Sequence, residues 1–360
     1  MDFTLSEAQA ELTGLAAKIL AERDTQERQW ADLAAAGVLA AGLPSSLDGA
    51  GLGLLEHCSV LTEIGRAASQ VPYLASIVLG TGALAAFGTP AQAERWAVPA
   101  GRGSVVLTAA LAEEDGDDPR APSGTARRSG DRWVLSGVKT AVPAAPRADL
   151  LLVPLATPDG VAVFLVEPSA DRGVTVERQE LTDFSEAGRV TLDGALVSDD
   201  AVLGGVARGA EITDWLVSRG TVGLCALQAG VIERALELTA EYARSRVQFG
   251  RPIGSFQAVR QRLADAYIDA EAVRLTMWQA AWLLDSGDVG PAADAAVATA
   301  KFWAADAGHR VAHTAVHVHG GVGIDMSYPL HRYFVAAKHY EFALGGATAQ
   351  LRRIGADLAR

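Results

Sequence analysis

Between Ser6 and about Trp96 the apolar positions recur every three or four residues, as at Leu12, Leu15, Ala16 and Ile19. That is the period of helices with one buried face. The region reads as helical, interrupted by the glycine-rich stretch LPSSLDGAGLG at Leu43 to Gly53 and by the Val71-Pro72 break. Near Gly103 the texture changes to short β-type runs, Trp133 to Leu135, Leu150 to Val153, Val161 to Val166 and Val174 to Val176, separated by glycine, proline and aspartate. With no helical pattern between them, these runs predict an antiparallel sheet or barrel rather than βαβ units. After Gly209 the helical period returns in Leu224 to Arg246, Phe256 to Asp285 and Pro291 to His319. The last of these opens on a helix-compatible proline and closes on Gly320-Gly321. Helices, then strands, then long helices predict an α+β fold with segregated layers. The expected divisions are 1–102, a helical domain, 103–207, a β-domain, and 208–360, a second helical domain. The apolar stretch Ala270 to Leu284, with Met277, Trp278 and Trp282, suits either core or interface.

Composition narrows the function. A chain of 360 residues that is 49% hydrophobic has material for two or three packed cores. Its only cysteines, Cys58 and Cys225, match no metal or redox spacing and read as buried thiols, which suits the cytoplasm. The opening MDFTLSEAQAEL lacks a basic-then-apolar signal pattern, and no uninterrupted apolar run approaches the length of a bilayer span, so neither secretion nor a membrane is expected. A net charge of −12 repels a phosphate backbone, so nucleic acid is not an expected partner.

Two segments carry specific information. RSRVQFGRPIGSFQAVRQRLAD, Arg244 to Asp265, joins two of the long helices, and HVHGGVGIDMSYPLHRYFVAAK, His317 to Lys338, follows at the end of the next. Together with LPSSLDGAGLG, in this order, they resemble the signatures of acyl-CoA dehydrogenases over essentially the whole chain. The resemblance implies that family's fold: an N-terminal helical domain, a middle antiparallel β-domain and a C-terminal four-helix bundle. It also implies FAD as cofactor, an acyl-CoA thioester as substrate and an electron-accepting flavoprotein as redox partner.

In that family the first block supplies an arginine that crosses a subunit interface to the pyrophosphate of a neighbour's FAD, and the matching residue is Arg246. A guanidinium offers charge and a planar fork of donors together. By the same resemblance Gln248, Phe249 and Gln257 lie along the ADP moiety. His317 stands where the family usually has glutamine and retains hydrogen-bonding capacity. Gly320 and Gly321 allow backbone N–H groups to approach a phosphate closely. His309, His313 and His317 share one helix face, but no carboxylate or cysteine pattern accompanies them, so packing or cofactor contact is expected rather than a metal.

The catalytic half departs from the family. Its reaction needs a carboxylate base to take a proton beside the thioester carbonyl. The resemblance places that glutamate in a Tyr-Glu-Gly-Thr stretch, and counting from Tyr328-Pro329 the residues here are Ala343, Leu344, Gly345 and Gly346. The base position is therefore Leu344, which takes no proton. The family's alternative base position falls at Gly220-Thr221. Glu341 is the nearest acid to the first position, and Asp214 lies before the second. The two segments that cradle the flavin ring are replaced by LAEEDGDDPR, Leu111 to Arg120, and TAVPAA, Thr140 to Ala145. Ala141 offers no ring, Pro143 no donor, and the acids from Glu113 to Asp118 are poor neighbours for a reduced flavin.

A kept ADP end and a lost reactive end are reconciled if two subunits share one FAD. The resemblance extends to base-lacking subunits of actinobacterial heterotetrameric acyl-CoA dehydrogenases acting on bulky sterol side chains. A base-bearing paralogue is thus the expected partner. Two other readings stay open: an autonomous homotetramer using Glu341 or another displaced acid, and a catalytically silent acyl-CoA-binding or scaffolding protein.

Overall fold

The structure is a computed structural model that describes residues 4–21, 25–114, 116, 118–287 and 290–358. Helices α1 (Glu7–Ala21), α2 (Gln26–Ala35) and α3 (Leu54–Ala67) come first, and LPSSLDGAGLG holds only a short 3-10 turn before α3. Tyr73–Thr81 is a buried π-helix that runs into α4 (Gly82–Phe87), followed by the short α5 (Pro90–Gln92) and α6 (Val98–Gly101). Strands follow: β1 (Leu107–Ala109), β2 (Thr125–Ser129), β3 (Arg132–Pro143), β4 (Leu150–Thr157), β5 (Gly160–Val166), β6 (Val174–Glu180) and β7 (Glu186–Ser198). Then come α7 (Gly209–Ser245), the hairpin of β8 (Val247–Gln248) and β9 (Arg251–Pro252), α8 (Gln257–Asp285), α9 (Pro291–His319), α10 (Leu330–Phe342) and α11 (Ala347–Leu358). This is the expected helix, strand, helix order of an α+β chain.

The described residues form two compact units: Met1–Arg23 with Cys58–Gln70 and Thr221–Arg360, and Asp24–His57 with Val71–Gly220. The second unit holds the seven-stranded sheet, in the order β1-β4-β2-β3-β7-β6 with β5 also on β4. The expected antiparallel sheet is mixed at one edge, because β1 and β2 both pair with β4 in parallel. Parallel neighbours need a long connection, and the β2–β3 hairpin lies within the one from β1 to β4. Its core gathers Trp133, Leu135, Leu151, Val153, Leu155, Phe164, Val190, Leu192 and Val197. Trp133 meets Phe164 edge to face and donates its indole N–H to Asp199 at 2.7 Å.

Strand β7 has no counterpart in the sequence reading, for a physical reason. Val190 and Leu192 face inward, then Ala195 and Val197 do, so the alternation changes phase between them. Gly194, at φ 66°, is the extra residue of a bulge against Leu135 and Ser136. A second irregularity in β3, between Lys139 and Val142, places Ala141 at φ 48°.

The first unit is built on close helix packing. A Cβ at Gly65 of α3 would stand 2.1 Å from the Leu227 carbonyl oxygen of α7, and one at Gly230 would stand 1.9 Å from that of Thr62. Only hydrogen fits at either crossing point. Arg66 ties the same helices by ion pairs to Glu233 at 3.3 Å and Glu237 at 2.8 Å. On α9 the buried face is mostly alanine, including Ala300, Ala304, Ala307 and Ala312, which lets its neighbours approach. In α8, Met277 is core whereas Trp282 is half exposed. Neither cysteine is in a disulfide, and both are buried. Among the described residues one helical stretch, 206–245, is long and apolar enough to cross a bilayer; Arg219 and Glu233 interrupt it in sequence, and 89% of its most apolar window is buried.

Gly230→Ala is expected to destabilise the fold by about 1–3 kcal/mol through overpacking at this contact. Gly355→Ala, where nothing stands within 4 Å of the new methyl, should leave stability unchanged or slightly raised. Urea unfolding of the two variants beside the parent checks the contrast.

Candidate functional site

Helix α7 ends at Ser245, and the chain turns through the β8–β9 hairpin into α8. The turn is held by backbone bonds from Arg246 N–H to the Tyr242 carbonyl and from Ile253 N–H to the Arg246 carbonyl, each 2.8 Å. Arg246 is thereby exposed at the helix end, and among the described residues no carboxylate pairs with its guanidinium. Helix α9 closes beside it at Gly320, whose φ of 63° suits glycine. Apart from the adjoining backbone and chain neighbours, no atom among the described residues lies within 4 Å of where a Cβ would sit on Gly320 or Gly321.

A groove of about 570 Å³ is lined by Tyr242, Arg246, Gln248 and Ile253 on one side and by His317 to Val322 and Asp325 on the other. Five of the seven residues expected to hold the ADP part, Arg246, Gln248, His317, Gly320 and Gly321, therefore meet at one place. Phe249 and Gln257 do not line it: Phe249 is 92% exposed at the hairpin tip with φ 53°, edge to face with Phe256, and Gln257 is exposed at the start of α8. Tyr242, His319 and Asp325 are lining residues that the motif reasoning missed; the one available signal was that Tyr242 sits a helical turn before Arg246. Ser327 donates its backbone N–H and hydroxyl to Asp325, both at 2.8 Å, which holds that carboxyl below its usual range.

An unpaired guanidinium, an open pair of glycines and a groove of this size fit a pyrophosphate-bearing tail. The cradle expected for the flavin ring, in the other unit, does not fit. The Ala141 N–H is spent on the Gln179 side chain at 2.8 Å, the Thr140 hydroxyl lies 3.3 Å from the same oxygen, and the Thr140 N–H bonds to the Ala112 carbonyl. The acidic run beside it is also not a field of free charge. Glu113 is buried against Lys139 at 2.7 Å and accepts from Ser123, Glu114 pairs with Arg189 at 2.9 Å, and Asp118 with Arg120 at 3.7 Å. Burial pushes the Glu113 carboxyl up, but its bonds from Lys139 and Ser123 outweigh that and hold it at about 2. Asp115 and Asp117 of the run lie outside the described residues.

At the expected base position Leu344 is half-buried with φ 54°, followed by Gly345 at φ 94°. Glu341 does not reach out as a base: Lys338 donates to it at 2.5 Å, His309 Nδ1 lies 3.2 Å away, and its side chain is 13% exposed. Buried Lys301 of α9 donates to the Tyr340 and Glu341 carbonyls at 2.6 and 3.2 Å, closing α10 just ahead of Leu344. His309, His313 and His317 line a second cavity of about 810 Å³ between α8 and α9. Among the described residues no three His, Cys, Asp or Glu groups converge as a metal-holding set.

Comparison with known proteins identifies the family. Residues 5–104 match the acyl-CoA dehydrogenase N-terminal domain, and residues 207–359 match the acyl-CoA dehydrogenase C-terminal domain. The chain is 48% identical to the acyl-CoA dehydrogenase FadE27 of Mycobacterium tuberculosis, over 100% of its length and 99% of the relative's. The chain belongs to the acyl-CoA dehydrogenase family. It superposes on a chain of the ChsE4-ChsE5 complex from Mycobacterium tuberculosis with a TM-score of 0.93 and 47% identity, over 100% of this chain and 99% of that one. A variant of the Tcur3481-Tcur3483 steroid ACAD gives 0.90 and 39%, over 99% of each chain. This acyl-CoA dehydrogenase chain is thus a close match to a subunit of a steroid ACAD complex, and its family is one of FAD-dependent oxidoreductases acting on CH–CH bonds.

Burial drops Lys301 from its ordinary 10.5 to about 8, with the Cys225 thiol and Glu341 opposing. The fold therefore holds its proton less tightly than the unfolded chain does. The penalty is fully present below pH 8 and is relieved as pH rises towards 10.5, so this group's contribution to stability increases over that window, by on the order of 3 kcal/mol at most. Urea unfolding at pH 7 and pH 10 should show that increment in the parent and lack it in Lys301→Met; equal pH slopes in the two proteins would refute the assignment.

Proposed function

We propose that this chain is the cofactor-holding subunit of a heteromeric acyl-CoA dehydrogenase, gripping the ADP part of an FAD whose reactive ring lies in a base-bearing paralogue. Bound FAD supplies the hydride acceptor for α,β-desaturation of an acyl-CoA thioester. The observation that carries the reading is a contrast within one chain. Arg246 is left unpaired on a groove with Gly320 and Gly321, while Leu344 stands where the family's base belongs and the adjacent acid, Glu341, is held by Lys338 and His309.

The chain's own residues divide the work accordingly. Arg246 neutralises the pyrophosphate, and Gln248 and His317 orient the tail beside it. Gly320 and Gly321 let the backbone approach. The spent donors around Ala141 leave the ring to the partner. The steroid ACAD match supports a bulky, sterol-like acyl group as substrate, with electrons passing on to an electron-accepting flavoprotein. Two buried cysteines outside any disulfide suit a cytoplasmic setting.

Co-expression with a base-bearing paralogue is the direct test. The purified complex is expected to be yellow and active with fewer flavins than chains, whereas this chain alone should be inactive and bind flavin poorly. Full turnover by a homo-oligomer of this chain would overturn the proposal. Within the complex, Arg246→Ala should weaken flavin retention about tenfold to a hundredfold, the worth of a charged hydrogen-bonded contact. Glu341→Gln should leave turnover unchanged.

A further inference from the structure

Along one side of the groove runs the segment His319 to Tyr328, a 3-10 turn over Gly320–Ile324 and the short loop after it, in which Gly320 and Gly321 line the groove. Its two end residues meet. His319 Nε2 lies 3.2 Å from the Tyr328 hydroxyl, and His319 Nδ1 lies 2.8 Å from the Ala315 carbonyl oxygen. A carbonyl only accepts, so Nδ1 carries the proton of the neutral ring, and Nε2 is then the acceptor for the Tyr328 O–H. The ring is fixed from a third direction as well: Tyr242, at the end of α7, stacks on it with centroids 4.3 Å apart and planes 23° from parallel. Tyr328 stands edge-on to Tyr242 at 6.4 Å, and His319 is only 4% exposed.

We infer that His319 and Tyr328, backed by Tyr242, form a clip that closes the glycine loop 320–327 and sets the side of the groove against which the diphosphate lies. All three act as positioning residues for the tail-binding site, and the inference rests on the function proposed above. The argument is one of economy of constraint. Gly320 and Gly321 give the segment freedom to bring its backbone near a phosphate, and the same freedom makes an ordered loop entropically costly. A bond joining residue 319 to residue 328 removes much of that freedom before any ligand arrives, which is how preorganisation raises affinity. Tyr242 also lies one helical turn before Arg246. The stack thus couples the helix end carrying the cation to the loop on the opposite side of the groove.

The test uses the full chain in complex with the base-bearing paralogue, with ADP as the titrated probe and hydrogen exchange of the 320–327 amides as a readout that needs no ligand. Tyr328→Phe removes only the hydroxyl, and His319→Leu removes both polar contacts. Each is expected to raise exchange in 320–327 selectively and to weaken ADP binding about fivefold, the worth of one hydrogen bond. The double variant should be no worse than His319→Leu. His319→Gln, whose Oε1 reaches the position of the imidazole Nε2, should restore loop protection and most of the affinity. That rescue is something general destabilisation does not produce. Unchanged exchange in Tyr328→Phe, or loosened exchange with unchanged ADP affinity, would overturn the inference. If Arg246→Ala weakens ADP while the clip variants do not, the clip falls and the proposed function stands. If neither Arg246→Ala nor the clip variants affect ADP binding, both fall.

Discussion

Two glycines set the terms for the helical unit. At Gly65 and Gly230 the backbones of α3 and α7 approach until a methyl group would collide with a carbonyl oxygen, and this contact fixes α7 against its neighbour. Because α7 is a continuous helix of 37 residues, fixing its middle also fixes its end, where Tyr242 and Arg246 stand. Gly308 repeats the device on α9: a Cβ there would strike the Gln228 amide, and that amide donates to the Ala304 and Ala337 carbonyls. The groove is therefore assembled from the ends of two helices whose middles are locked. Its cation can remain unpaired because its position does not depend on a salt bridge.

The β-unit solves the opposite problem, that of satisfying polar groups without a ligand. Lys139 and Glu113 are both nearly inaccessible, and burying either charge alone is costly. Their mutual contact, with Ser123 and Gly124 donating to the same carboxylate, leaves the cluster complete in itself. Burial lowers Lys139's hold on its proton while the carboxylate beside it works the other way. A cluster that satisfies its own donors has little left to offer a flavin ring. The contrast with Arg246, whose guanidinium pairs with no carboxylate among the described residues, is the physical basis for proposing that the two ends of a cofactor lie on different subunits.

What the sequence disclosed follows from which interactions are local. Helical periodicity is local, so Phe256 to Asp285 and Pro291 to His319 were legible almost to the residue, whereas α7 begins at Gly209, well before the expected Leu224. The lining of the candidate groove was legible because motif spacing places Arg246 and Gln248 on one junction and His317, Gly320 and Gly321 on another, and the fold brings the junctions together. Strand β7 was hidden because the bulge at Gly194 reverses which positions face inward, so no single alternation spans it. Strand β1, three residues long, carries too little pattern to detect. The role of Glu341 depended on Lys338 and His309, and that of Glu113 on Lys139, contacts that no spacing rule announces. His319 escaped notice because its importance lies in what its two nitrogens meet.

The turn at Leu344 retains an unusual shape. A leucine at φ 54° costs on the order of 1–2 kcal/mol relative to an ordinary helical or extended conformation, and such a conformation persists only where the surroundings over-determine it. Here they do: Lys301 fixes the Tyr340 and Glu341 carbonyls from one side, and the Gln350 amide lies 3.4 and 3.3 Å from the Leu344 and Gly345 carbonyls on the other. The fold thus maintains, at a cost in buried charge and backbone strain, a turn whose local side chain has no proton chemistry. On the proposed division of labour this is understandable. A subunit that must still pack like an acyl-CoA dehydrogenase keeps the backbone of its site, because shape is what neighbouring helices and a partner contact, whereas the carboxylate answers only to a substrate that is processed elsewhere.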